Sequence, residues 1–356
     1  MEIFQPNNHS IWAIAYRKVS DEKRKLISSL ILSNYSSLAD TVLSVEQVNE
    51  VEIASNNFKV VVEKNHRESK ILFRVYPQGS DSALIKEVIK AGRFLLEDGV
   101  KVSVVIASDC GEVLLSSRGF HYMAFEFIEG NHFRGTFQEL TSVARGIGEM
   151  FNKLSQLTGL KLSEIELKQS KTRDFEFFKE AWVELFPIVE RKHLESPDET
   201  SSLLLEHKGL ILESVEEMEV LPSSLVQTAH YDLHPHNLLT DGGSLTAFLD
   251  LDSLGPLQRM EAITFALHRL VRQCIVHQKP VDVAAVVEKG KSIFLNEYLA
   301  VNDLTQKEIS GLRTLIVHRA LKMLTGIVKD YYVNGDPSWK QDVKKNISSI
   351  LEAVYF

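Results

Sequence analysis

The sequence predicts an α+β protein in two parts: a small, β-rich N-terminal lobe and a large, mostly helical C-terminal lobe. Three observations predict it. The first third alternates helical periodicity with β-branched and aromatic runs. After Gly130 nearly every segment carries apolar residues at helical spacing. One short polar segment, residues 226–256, interrupts that helical run. At 356 residues the chain is long enough for two such units, expected at 1–128 and 129–356.

The first element is a helix over Arg24–Tyr35 with Leu26, Leu30 and Ile31 on one side. FKVVVEK and KILFRVYP then read as a hairpin joined by the polar linker NHRES. A helix over Ser82–Glu97 follows, stopped by Asp98-Gly99. VKVSVVIAS and HYMAFEFI are the next strands. Beyond Gly130, helices are expected in ELTSVARGIGEMFNKLSQL, DFEFFKEAWVELFPIVERK and SSLLLEHKGLILESVEEME. They are also expected in EAITFALHRLVRQCIV, VDVAAVVEKGKSIFLNEYLA, LRTLIVHRALKMLTGIVKDYY and WKQDVKKNISSILEAVY.

The interruption, VQTAHYDLHPHNLLTDGGSLTAFLDLDSLGP, concentrates the polar chemistry. Leu238-Leu239 and Leu245–Leu249 flank Asp241-Gly242-Gly243, a hairpin signal because a tight turn needs positive φ. His230, Asp232, His234, His236 and Asn237 precede the hairpin, and Asp250 and Asp252 follow it. A hairpin brings its ends together, so Asn237 and Asp250, 13 positions apart, are expected to meet. A loop carboxylate, an Asn five residues on and a returning Asp suit divalent-metal phosphoryl transfer. Asp232 would orient and deprotonate a hydroxyl. Asn237 and Asp250 would hold Mg²⁺ on nucleotide phosphates.

Composition limits the alternatives. Lys+Arg 40 against Asp+Glu 48 gives a net charge of −8, which disfavours a nucleic-acid or anionic-membrane partner. It leaves an anionic ligand open, since a few local cations suffice. Cys110 and Cys274 form no CxxC pair, so a disulfide framework is not expected and a cytoplasmic setting fits. The start, MEIFQPNNHS, does not read as a signal peptide, and no apolar run has the length of a membrane span. Oligomeric state is not readable.

His230-Tyr231-Asp232-Leu233-His234-Pro235-His236-Asn237, followed by Phe248-Leu249-Asp250-Leu251-Asp252, resembles the aminoglycoside phosphotransferase and choline kinase superfamily. The resemblance implies a two-lobed, protein-kinase-like fold and transfer of the γ-phosphoryl group of ATP, with Mg²⁺, to a hydroxyl of a small molecule. It makes Asp232 the catalytic base, and Asn237 and Asp250 the metal ligands. Asp252 is either a second metal contact or a loop cap. His230 would support the loop through the backbone or the metal Asp, and His234 either lines the acceptor side or packs. Arg74, closing KILFRVYP, resembles the Arg that replaces the usual strand Lys in choline and ethanolamine kinases, with Glu87 on the next helix as its partner. Main-chain groups of Glu126, Phe127 and Ile128 would bind adenine, and Ser55, in a loop without glycine, would meet the phosphates. Tyr231 stands where the family has Gly, and Glu261-Ala262 where it starts a helix with Asp.

Pointers to the acceptor differ. ILFRVYP is similar to choline and ethanolamine kinases. FLDLDSL with LTGIVKDYYVNGD resembles N-acetylhexosamine kinases, and the loop itself resembles that of aminoglycoside phosphotransferases. A sugar, amino sugar or amino alcohol is expected. A cationic acceptor would need an acidic or aromatic wall, but ESVEEMEV reads as a solvated face. Trp182, Phe186, Tyr331, Tyr332 and Trp339 read as core, and His268 and His318 as buried, satisfied histidines. Two other readings compete. His230, Asp232, His234 and His236 could hold zinc in a hydrolase. The glycine-free phosphate loop could belong to a pseudokinase that binds nucleotide without turnover.

Overall fold

The computed structural model describes residues 16–48, 56–157, 175–218, 224–278 and 282–356. The N-terminal part is a seven-stranded antiparallel sheet built from β1 (Tyr16–Lys18), β2 (Thr41–Val48), β3 (Asn56–Lys64), β4 (Arg67–Tyr76), β5 (Val105–Ile106), β6 (Leu115–Ser117) and β7 (Phe120–Glu126). The strands run in the order β1-β2-β3-β4-β7-β5, with β6 on β7. Phe58, Val60, Val62, Ile71 and Phe73 alternate onto one buried face. Helix α1 (Asp21–Asn34) covers it with Ile27 and Ile31. It starts ahead of the expected Arg24 because the Ser20 hydroxyl accepts from the Lys23 N–H. The expected Leu26 lies on its exposed side.

Two strand expectations change. The β3–β4 connection is a two-residue turn on Asn65 (φ 51°) and His66 (φ 60°), not the linker NHRES. Two left-handed residues match the twist of the flanking strands, so pairing persists to Lys64 and Arg67. VKVSVVIAS is not one strand either. The Phe248 N–H donates to the Lys101 carbonyl at 2.8 Å, and Val102 bridges Phe248, while Val105–Ile106 pair with β7. The segment therefore ties the two lobes together.

Helix α2 (Ser82–Glu97) is capped by the Asp81 carboxylate and buries Ile85, Val88, Ile89, Ala91, Gly92 and Leu95. A Cβ on Gly92 would lie 3.2 Å from Leu251 Cδ1, so this helix packs directly on the turn that carries Asp250 and Asp252.

The C-terminal part contains α3 (Phe137–Gln156), α4 (Phe175–Glu195), α5 (Glu199–Glu206), α6 (Lys208–Glu216), α7 (Arg259–His277), α8 (Val283–Leu299), α9 (Gln306–Ser310), α10 (Leu312–Lys329) and α11 (Asp342–Glu352). SSLLLEHKGLILESVEEME, expected as one helix, divides at His207 into α5 and α6. Trp182 and Phe186 are core, as expected, and His268 and His318 are buried. Trp339 differs: it is 40% exposed at the rim of a cavity. Among the described residues no helix is long and apolar enough to cross a membrane.

Two small sheets interrupt the helices. β8 (Asn131–His132), β10 (Leu238–Asp241) and β11 (Ser244–Phe248) form one, and β10 turns into β11 on Gly242 and Gly243, both at positive φ. The other pairs β9 (Val226–His230) with β12 (Leu254–Gln258). Buried Glu139 in the first turn of α3 accepts from the Thr136 N–H and from Thr240 Oγ1 at 2.9 Å, so the β10–β11 hairpin is pinned to a helix N-terminus.

Candidate active site

The β9–β12 ladder sets His230 opposite Leu254, and the Tyr231 N–H donates to the Ser253 carbonyl at 3.1 Å. The Leu249 N–H donates to the Asn237 carbonyl at 2.9 Å. These bonds close the 230–254 segment on itself and bring the loop Asp, the Asn and the returning Asp to one edge of the cleft, the juxtaposition the spacing predicts.

His230 is fully buried. Its Nε2 lies 3.0 Å from the Leu249 carbonyl, which can only accept, so Nε2 carries the proton. Its Nδ1 accepts from the Asp232 N–H at 3.3 Å. Burial lowers its pKa and keeps the ring neutral. His230 thus joins the Asp232 loop to the residue before Asp250 as a structural bridge.

Asp232 is half-buried. Its Oδ2 lies 3.5 Å from His234 Nε2, and its Oδ1 lies 3.9 Å from Arg319 Nη2. Burial disfavours its charge, but the His234 hydrogen bond and the His234 and Arg319 charges outweigh it and hold the carboxyl below its ordinary range. Asn237 Nδ2 donates to the Asp232 carbonyl at 2.8 Å, which turns Oδ1 to the other side. His234 Nδ1 accepts from the His236 N–H at 3.3 Å and caps the short turn Pro235–Asn237.

Across the cleft, Arg74 is buried. Its Nη1 contacts Asp252 Oδ2 at 2.7 Å and Asp250 Oδ1 at 3.5 Å, and its Nε donates to Asn57 Oδ1 at 2.8 Å. Tyr76 Oη donates to Asp252 Oδ1 at 3.1 Å. Burial raises the Asp252 pKa in spite of Arg74. Asp250 is left-handed (φ 57°, ψ 54°), a costly conformation for a residue with a Cβ, of the kind that collects at functional sites. Asn237 Oδ1, Asp250 and Asp252 are hard oxygen donors, suited to a divalent cation such as Mg²⁺.

The expected Arg74–Glu87 pair is replaced. Arg74's ion pairs go to Asp252 and Asp250, and Glu87 holds Lys90, one turn along α2, at 2.5 Å. The aspartates lie beside the buried guanidinium and balance its charge locally. Glu126 ends β7 and its N–H donates to the Val104 carbonyl at 2.9 Å. Phe127 and Ile128, half-buried, continue toward the C-terminal part. Ser55 lies outside the described residues.

The zinc-hydrolase alternative has no support. Both His230 nitrogens are engaged by the main chain, and His234 Nδ1 is a cap acceptor. Among the described residues no group of three or more His, Cys, Asp or Glu is arranged to hold a metal. Sequence reasoning missed Asn57, Tyr76 and Arg319. Arg319 lies on α10, its guanidinium 3.5 Å over the Phe265 ring, and Nη1 donates to the Tyr231 carbonyl at 3.1 Å. Its only signal was a charged residue inside the otherwise largely apolar LIVHRALKML, which also carries Lys322.

A sheet lobe and a helical lobe, with a loop Asp, an Asn and a returning Asp at the cleft between them, define a small-molecule kinase. Residues 48–271 match the model of the phosphotransferase enzyme family, and the chain belongs to that family. Among solved structures, an amicoumacin kinase in complex with AMP-PNP and Ca²⁺ superposes with a TM-score of 0.62 at 15% identity, covering 94% of this chain and 93% of that one. An aminoglycoside phosphotransferase from Alicyclobacillus acidocaldarius gives 0.61 at 13% identity, covering 90% and 92%. A choline kinase from Cryptosporidium parvum gives 0.55 at 15% identity, covering 93% and 95%. These likenesses show the kinase-like fold. No curated protein matches the chain.

Proposed function

We propose that the protein transfers the γ-phosphoryl group of ATP to a hydroxyl of a small molecule, with Mg²⁺ as cofactor and Asp232 as the base. The observation that carries this reading is the meeting of Asp232, Asn237 and Asp250 at one cleft edge, held by the neutral His230 bridge. The amicoumacin kinase of similar fold, which holds AMP-PNP and Ca²⁺, supports nucleotide and divalent cation as its ligands.

Asn237 Oδ1, Asp250 and Asp252 are the proposed metal ligands, and the ion, when bound, neutralises phosphate charge. Arg74 pairs with the two aspartates, so its guanidinium would lie beside the phosphates of a nucleotide whose cation those carboxylates would hold. Glu126 uses its N–H within the sheet, which leaves its carbonyl and the main chain of Phe127 and Ile128 for adenine recognition. The lobes are taken as 1–128 and 129–356, the nucleotide between them.

A carboxylate held below its ordinary range is a weak base. Asp232 therefore orients the hydroxyl first and takes its proton late. As the acceptor oxygen bonds to phosphorus, the bond to the ADP oxygen breaks and ADP leaves with that electron pair. The test is Asp232→Asn, which keeps size and loop hydrogen bonding. We expect ATP-dependent phosphorylation to fall by roughly 10²–10⁴-fold with an unchanged circular dichroism spectrum. Turnover like the wild type would remove Asp232 from the role.

A further inference from the structure

Beside Asp232 the helical lobe holds a cavity of about 480 Å³, large enough for a sugar-sized ligand. Asp232 and His234 line it together with α7, α10 and α11. Its charged lining is lopsided: Arg269, Arg272, Arg319 and Lys345 against Asp232 and Asp342.

The carboxylates nearby are already engaged. Glu352, fully buried behind the wall, meets Arg272 Nη1 at 2.8 Å and His268 Nε2 at 2.9 Å. Asp342 meets Lys345 Nζ at 3.4 Å, and Asp232 faces Arg319. Arg269 is different. Among the described residues it forms no ion pair, its Nε is buried without a hydrogen-bond partner, and its guanidinium contacts the Phe265 ring at 5.4 Å. Burial and then the Arg272 charge push its pKa down to about 10. Lys345 is lowered in the same way, by burial and then by the Arg269 charge. These cations crowd one another, and an anion in the cavity would relieve them.

We propose that the acceptor alcohol carries an anionic group, a carboxylate or a phosphate, held by Arg269 and Lys345 while its hydroxyl lies against Asp232. This deepens the phosphotransferase reading of the site and rests on it. A quaternary ammonium or polyamine acceptor would meet like charge in this cavity. An oxyanion meets guanidinium donors that it can bridge.

The test is a calorimetric titration of the full chain with matched pyranoses: glucose, glucosamine, glucuronate and glucose 6-phosphate. We expect at least one anionic probe to bind roughly ten-fold or more tightly than glucose and glucosamine, the scale of one charge-assisted hydrogen bond. Glucuronate against glucose 6-phosphate separates carboxylate from phosphate. Arg269→Gln and Lys345→Met should each erase the preference while still melting cooperatively. Equal or absent binding of the anionic probes, tighter binding of glucosamine, or a preference that survives both substitutions would overturn it. Titration needs no turnover, so loss of ATP consumption in the wild type would count against the kinase reading alone.

Discussion

The two sides of Asp232 each hold arginine in a confined space, and they treat it in opposite ways. On the nucleotide side Arg74 is matched: two aspartates, one of them also held by Tyr76, and an Asn surround it. On the acceptor side Arg269 is left over, with an aromatic ring as its neighbour and other cations nearby. A matched cation stabilises the resting protein and must be re-partnered when phosphates arrive. An unmatched one costs stability at rest and is repaid by ligand, a common pattern where binding and stability compete.

The largest effect comes from buried histidines beside the catalytic loop. His132 is pushed down to about 4, by burial first and then by the His236 and His234 charges, and buried His230 and His268 are also lowered. For a base with a depressed folded pKa, the unfolded chain binds more protons between the folded value and about 6.5. Stability therefore rises with pH across that window and is lost as pH falls from about 6.5 to 4, by about 3 kcal/mol for His132 alone. Thermal melts across this range check it, and a flat melting temperature would contradict the burial of these histidines as neutral rings.

Arg74→Gln comes next. It leaves Asp250 and Asp252 without their cation, and we expect a loss of about 2 kcal/mol in denaturant unfolding, less than for a fully buried pair because both carboxylates are partly exposed. Added Mg²⁺ should narrow that loss, and indifference to Mg²⁺ would argue against a metal site there. Arg269→Gln is the smallest effect and has the opposite sign. Removing a crowded cation should raise stability by up to about 1 kcal/mol in the same experiment. Destabilisation by both substitutions would erase the contrast.

The nucleotide side was far more legible in the sequence than the acceptor side, for a physical reason. His230 to Asp252 is one short stretch folded on a Gly242-Gly243 turn, so spacing along the chain predicts proximity in space. Arg74 was legible from alternation, because Leu72 and Arg74 must share a sheet face. Its partner was not. Glu87 lies among Lys86 and Lys90, and a helix surface offers local pairs that spacing cannot tell from a cleft contact. The β9–β12 ladder was hidden by Gly255 and Pro256, which read as breakers although Pro256 pairs with Thr228. The cavity was illegible because Arg269, Arg319 and Lys345 come from three helices distant in sequence. Each reads alone as one charge on an amphipathic face, and only helix packing gathers them.

The most direct measurement is ³¹P NMR of the protein incubated with ATP, Mg²⁺ and a set of neutral, cationic and anionic hydroxyl compounds, beside the Asp232→Asn variant. We predict that a phosphomonoester signal grows in step with ADP for the wild type and is absent with the variant. Bound ATP that stays intact, or ADP that appears with inorganic phosphate alone, would contradict phosphoryl transfer to an alcohol.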